Sequence, residues 1–199
     1  MSPSSWIVHL VGYPAVGKRT VAVELVAASE AVLGQRFVLV DNHLSGNPIL
    51  AVLDHSGSGH VGAEVWELVD EVRDVVDRAI RDLAPPDRSF VFTNAAMVGD
   101  ASGTRAVARL ARLAEARQST YVPVVLSCAP DELLRRVPAP DRRSHGKWTA
   151  PAEVAAHVAR HAVLRPDSPH LLDLDTTSTP PARTARAILD HLAAIDPPG

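Results

Sequence analysis

The stretch Gly12-Tyr13-Pro14-Ala15-Val16-Gly17-Lys18-Arg19-Thr20 decides how this chain folds. It sets a glycine-bounded loop and a lysine between an apolar run, Trp6-Ile7-Val8-His9-Leu10-Val11, and an amphipathic run from Thr20 to Glu30. A short unbroken apolar row reads as a buried strand and the pattern after it as a helix. A loop joining such a pair gathers its backbone N–H groups at the positive end of the helix and so cradles phosphate oxygens. Gly12, Ala15, Val16, Gly17, Lys18, Arg19 and Thr20 are the candidate contacts to a nucleoside triphosphate, with Lys18 a point charge on its outer phosphates. Composition agrees: of twenty basic residues only Lys18 and Lys147 are lysine, and both fall in segments assigned to phosphate handling.

At 199 residues the chain can bury one full α/β core, and no composition break divides it. A formal net charge of −3 removes a general case for nucleic-acid binding through a basic surface. The single cysteine, Cys128, excludes a disulfide framework and a cysteine metal site; at the end of an apolar run it reads as a core thiol. Met1 to Ser5 carry no basic or long apolar region, and no stretch approaches membrane-spanning length, so a cytoplasmic protein without a membrane partner is expected.

Further apolar runs follow at Phe37 to Val40, Phe90 to Thr93, Val122 to Ser127 and His170 to Leu174, with helical patterns between them. That alternation predicts a parallel sheet covered on both faces. The longest helical pattern spans Val61 to Leu83, with Val61, Val65, Leu68, Val72, Val75, Ala79 and Leu83 at intervals of three and four. Glu64, Glu67, Asp70, Glu71, Asp74 and Asp77 make its other side, read mostly as a solvated acidic face. One more helix is predicted over Gly103 to Gln118, and a last one from Pro180 with Thr179 as N-cap.

Ligands of an open α/β sheet gather at the carboxyl ends of its strands. There the sequence places the loop, then Asp41-Asn42-His43, Thr93-Asn94, Ser127, and Asp173 to Thr177. Asp41 suits a water-mediated hold on magnesium, a base for an acceptor hydroxyl, or a cap on the next helix. Asn42 can equally serve a turn. From Asp131 to Lys147 four arginines, His145 and Lys147 surround a proline-broken loop, a group able to close over a transferring phosphate; Arg136, Arg142 and Arg143 are its candidates. His157 and His161 stand four apart on a predicted helix, but Val158 fills the place of a zinc-protease glutamate, which favours packing over metal ligation. His55 and His60 flank a Ser/Gly loop suited to an acceptor pocket or to a plain connection.

Strand, phosphate loop, an insertion after the second strand at about 42–83 and an Arg-rich lid at about 135–150 together resemble the small P-loop kinases. That superfamily includes adenylate, shikimate and gluconate kinases and the phosphotransferases that modify drugs such as chloramphenicol. Gly12-x-Pro14-x-x-Gly17-Lys18-x-Thr20 is similar to the adenylate-kinase form, and Leu134-Arg135 through Arg142, His145 and Lys147 to the gluconate-kinase lid. The resemblance implies a three-layer P-loop NTPase fold with a five-stranded parallel sheet in the order 2-3-1-4-5, and ATP and magnesium as cosubstrates. In the standard motif Ser or Thr follows the lysine and ligates the metal; here Arg19 holds that place and Thr20 comes one later. One helical residue is about 100° of rotation, so metal ligation divides between Thr20 and Asp41 with Asp41 favoured. Asp100-Ala101-Ser102-Gly103 spells a GTPase-like D-x-x-G, but far past the third strand and without a guanine signature.

Kinases of nucleoside monophosphates hold the acceptor's phosphate with arginines in the insertion after the second strand. From Asp41 to Glu71 this chain has neither Arg nor Lys. A neutral or cationic hydroxyl acceptor is therefore expected, with Asp41, His43, Asn47, Trp66 and Asn94 around it; antibiotics and other secondary metabolites fall in that class. The reading is an ATP-dependent phosphotransferase in which Lys18, Asp41, Arg136, Arg142 and Arg143 carry the chemistry. A nucleotide kinase is the alternative, since Arg73, Arg78 and Arg105 could reach inward; a non-catalytic NTP-binding switch is a second.

Overall fold

A computed structural model describes residues 5–54, 61–139 and 148–195. Its element order is β1 (Trp6–Val11), α1 (Lys18–Leu33), β2 (Phe37–Asp41), α2 (His43–Val52), α3 (Ala63–Asp82), β3 (Ser89–Asn94), α4 (Ala101–Arg117), β4 (Thr120–Ser127), α5 (Pro130–Arg136), α6 (Pro151–Arg160), β5 (Leu172–Asp175) and α7 (Pro181–Ile195). The five strands form one parallel sheet in the order β2-β3-β1-β4-β5, as the resemblance implies.

Alternation along β1 divides the core. Trp6, Val8 and Leu10 point to one face, where Val21, Ala22 and Leu25 of α1 and Ala185, Ile188, Leu189 and Leu192 of α7 cover them. Ile7 points to the other, against Phe90, Phe92, Ile80 of α3 and Leu110, Leu113 and Ala114 of α4. Each such wholly buried Leu or Ile is worth about 1.5–3 kcal/mol over its exposed state. No helix among the described residues is long and apolar enough to cross a membrane.

Helix ends follow local chemistry. α1 starts at Lys18, two residues before the predicted start, because Gly17 leaves the loop at φ 103°, and it stops at Gly34 with φ 66°. Asp100, the aspartate of the D-x-x-G string, is the N-cap of α4: its carboxylate accepts from Ser102 N at 2.9 Å and Gly103 N at 3.1 Å. At α7 the expected cap Thr179 is displaced by Pro180, whose carbonyl accepts from Arg183 N and Thr184 N. β5 begins at Leu172 rather than His170, because a turn closed by His170 N on Ser168 Oγ comes first.

The orientation of α3 corrects the sequence reading. Its buried residues are Val69 and Ile80, whereas Leu68, Val75 and Leu83 of the apolar stripe are 47%, 54% and 82% exposed. Asp77 leaves the solvated acidic face: its side chain is 14% exposed and takes Arg109 Nη1 on both oxygens, at 2.5 and 2.6 Å. The side of the helix turned toward α4 carries that ion pair as well as the buried Ile80.

Candidate active site

The phosphate loop joins the central strand to the start of α1, and its shape depends on close packing. A Cβ at Gly12 would lie 2.6 Å from the Leu126 carbonyl oxygen and 2.9 Å from Val16 Cγ1, so the loop presses on the end of β4 in a way only glycine permits. Lys18 folds back over it, donating from Nζ to Gly12 O and Tyr13 O at 2.8 Å each. No side chain caps α1, and its first intrahelical bond is Val21 N to Gly17 O. The preceding N–H groups are thus directed into the cradle, and the residues fit a triphosphate.

A second anchor holds the loop from behind. Thr176, just after β5 and only 3% exposed, brings its hydroxyl within 2.9 Å of both Val16 O and Ser127 O. Arg136 secures this turn, donating to Thr176 O at 2.7 Å, Thr177 O at 3.0 Å and Glu132 Oε1 at 2.7 Å. Its guanidinium therefore braces α5 against the β5–α7 turn instead of standing over the loop. Arg142 and Arg143, with His145 and Lys147, lie outside the described residues, as do His55 and His60.

Asp41 ends β2 beside the loop and splits its two oxygens. Oδ1 accepts from His43 N at 3.1 Å, the cap on α2 that the sequence left open. Oδ2 is buried without a hydrogen bond and stands 3.4 Å from Arg19 Nε, in an ion pair. Arg19 thus occupies the position after Lys18 with a cation. Thr20 is exposed on α1. For magnesium the residues fit only in part: Asp41 is a carboxylate suited to a water-mediated hold, and Thr20 is turned to solvent.

Two hollows meet at Asp41. An open groove of about 580 Å³ is lined by Asp41, Arg19, Leu39, His43, Leu44, Asn47 and Pro48, with His43 Nδ1 3.3 Å from Asn47 Oδ1. A tight cleft of about 10 Å³ lies on the side of α3 and α4, lined by Asp41, Asn42, Arg73, Asp77, Thr93, Asn94 and Arg109 among others. Asp41, His43, Asn47 and Asn94 are thus brought together; Trp66, 40% exposed on α3, lines neither hollow.

The cleft contains Arg109, which the sequence reading passed over, and Arg73, which it named only for the nucleotide-kinase alternative. Arg109 pairs with Asp77 and lies 5.9 Å over the Phe92 ring, and Arg73, 13% exposed, donates to Asp70 Oδ1 at 2.7 Å. Burial raises the Asp77 pKa, and Arg109 works against that rise. Beneath them His9 contacts Asn94 and Tyr121. The available signals were a histidine inside an apolar strand and an Arg73–Asp77 spacing of four on one helix side.

His157 and His161 pack among aromatic rings. Their rings lie 4.8 Å apart, and Tyr13 of the loop and Trp148 meet His157 edge-on at 6.3 and 5.1 Å. Tyr13 Oη also donates to His161 O at 2.5 Å, tying α6 to the phosphate loop. Burial, and then the neighbouring His161, lower the His157 pKa.

No family model matches the chain, and neither does any curated protein. Solved structures do. A protein of Chloroflexus aurantiacus assigned as a kinase superposes with a TM-score of 0.67 at 16% identity, over 98% of this chain and 99% of that one. A gluconokinase from Sinorhizobium meliloti gives 0.59 at 16% identity, over 97% and 93%. The APS kinase of Mycobacterium tuberculosis, solved with AMPPNP and APS, gives 0.59 at 19% identity, over 96% and 98%. With the strand order and the loop geometry, these likenesses establish that the chain has the three-layer α/β fold of the P-loop kinases.

Proposed function

We propose that the protein is an ATP-dependent kinase that phosphorylates a hydroxyl of a small neutral or cationic molecule. The observation that carries this reading is Asp41, which lines both hollows and whose Oδ2 is buried without a hydrogen bond, 3.4 Å from Arg19 at the start of α1. A carboxylate so placed can accept the proton of an incoming hydroxyl. The acceptor oxygen then bonds to the γ-phosphorus, the bridge to the β-phosphate breaks, ADP leaves, and the proton passes to Asp41 or to water. Lys18 exchanges its two backbone carbonyls for outer phosphate oxygens, and the start of α1 binds the rest through N–H groups. Magnesium, which Asp41 would hold through water, neutralises phosphate charge when bound with the nucleotide.

Charge around the cleft supports the acceptor class. Among the described residues Arg109 stands against Asp77, Arg73 and Arg105 share Asp70, and Arg19 stands against Asp41, so the arginines nearest the cleft are each engaged by a carboxylate. A second reading, a nucleotide kinase, draws on Arg73 and Arg109 themselves: released from their aspartates they would meet a phosphate-bearing acceptor.

The test is incubation with magnesium-ATP and a panel of nucleosides, aminoglycosides, peptide antibiotics, sugars and nucleoside monophosphates, each read by mass spectrometry for a gained phosphoryl group. A phosphorylated neutral or cationic compound supports the first reading, a phosphorylated monophosphate the second. Asp41→Asn is expected to bind ATP within about threefold of the parent and to lose transfer by about a hundredfold or more. Normal transfer by that variant removes Asp41 from the chemistry.

A further inference from the structure

His9 lies in the middle of β1, fully enclosed, where an aliphatic side chain would fill the core without a polar group to satisfy. Both ring nitrogens are engaged: Nδ1 is 2.9 Å from the Tyr121 hydroxyl, and Nε2 is 3.0 Å from Asn94 Oδ1. Burial keeps the ring neutral, with its pKa drawn down to about 3, chiefly by desolvation. A neutral imidazole has one donor nitrogen and one acceptor nitrogen. Asn94 Oδ1 only accepts, so Nε2 carries the proton. Nδ1 then accepts from Tyr121, whose hydroxyl burial keeps protonated well above the usual tyrosine range. Donors therefore run one way, from Tyr121 through His9 to the Asn94 carbonyl. The Asn94 amino group is left over; no hydrogen bond to it occurs among the described residues, and Asn94 lines the cleft with Asp41 and Thr93.

We propose that His9 is a positioning residue which, with Tyr121, locks the Asn94 amide so that an N–H donor rather than a carbonyl faces the acceptor. The inference rests on the kinase reading for what enters the cleft, and it narrows that acceptor. Asp41 takes the proton of one hydroxyl, and Asn94 asks for a second oxygen that accepts a hydrogen bond. Both residues line the same cleft, so one acceptor has to meet the two of them. A diol, or an alcohol beside a carbonyl or ether oxygen, meets that demand; a molecule with a lone hydroxyl on a hydrocarbon does not.

The deciding experiment is nitrogen-15 NMR of the histidine rings in the intact protein at pH 7. The expected result is the Nε2–H tautomer for His9, unchanged from pH 5 to 9. An Nδ1–H tautomer reverses every donor in the relay, turns the Asn94 carbonyl to the cleft and overturns the proposal. Kinetics with the sugars and nucleosides of the panel read the consequence. Tyr121→Phe is expected to raise the acceptor KM about tenfold while the KM for ATP stays within about twofold, the split that loosened positioning gives and general destabilisation does not. Asn94→Asp, which presents acceptors only, is expected to lose acceptor turnover by about a hundredfold while still binding ATP. An unchanged acceptor KM in Tyr121→Phe overturns the proposal. An Nε2–H tautomer in a protein that phosphorylates no panel member counts against the kinase reading and leaves the relay in place.

Discussion

The two faces of the sheet use the same central strand in different ways. On one, Trp6, Val8 and Leu10 meet α1 and α7 in a dry apolar layer, and the loop above it presents backbone N–H groups. On the other, Ile7 shares its row with His9, and α3 and α4 bring Arg73, Asp77 and Arg109 against strand ends bearing Thr93 and Asn94. The contrast matches the two ligands proposed. Every nucleoside triphosphate has the same phosphates, and backbone groups at a helix start suffice for them. An acceptor must be told from other small molecules, which takes side chains of fixed orientation, and fixing them inside a protein requires partnered buried polar groups.

The largest expected effect belongs to the backbone side. Lys18→Ala removes a side-chain charge folded over the loop and should lower phosphoryl transfer by about a thousandfold or more, equal to about 4 kcal/mol of transition-state stabilisation. Thermal melting should move little, because Lys18 is only half-buried and its partners are loop carbonyls. Transfer within tenfold of the parent would break the comparison at its root, since the loop would then not be handling phosphate.

Acid should act through the other face. His9 is neutral in the fold with a pKa near 3, whereas the unfolded chain protonates it below 6.5. Its contribution is complete above pH 6.5 and is lost as the pH falls toward 3, at about 1.4 kcal/mol per unit. Urea titrations between pH 6.5 and 4 should show about 3 kcal/mol of lost stability, with His9→Leu losing that slope whatever its absolute stability. An equal slope in the variant would assign the acid sensitivity elsewhere.

What could be read in the sequence divides along the same line. The loop and the five runs follow from period, length and one motif, because strand and helix patterns need only the apolar or polar character of each residue, whereas the strand order was what the family resemblance implied. On α3 the same rule misleads. The apolar stripe alone does not say which side turns inward, because Asp77 finds its partner on α4, about thirty residues away in Arg109, while Arg73 pairs within the helix with Asp70. Arg136 shows a related limit: its run of charge was legible, but its engagement by Thr176 and Thr177 carbonyls is a matter of where a distant turn comes to rest. His9 was visible as an oddity in an apolar strand, yet its meaning required Tyr121 and Asn94 on the two neighbouring strands.

The smallest expected effect tests whether the buried charges serve stability at all. Arg109→Met leaves the Asp77 carboxyl, raised in pKa by burial, without the guanidinium that opposes the rise, and Asp77→Leu leaves Arg109 unpaired over Phe92. Each single change should cost about 2 kcal/mol, less than a fully dry pair would, since both side chains keep some contact with water at 17% and 14% exposure. The double replacement should recover most of the loss, a coupling of about 1–2 kcal/mol in a thermodynamic cycle. If the pair is retained for the acceptor, that recovered protein should fold well and still select acceptors poorly, with substrates lacking the second oxygen gaining ground. Full selectivity in the double variant would make Arg109 and Asp77 a matter of packing, and recognition would then rest on Asp41 and Asn94.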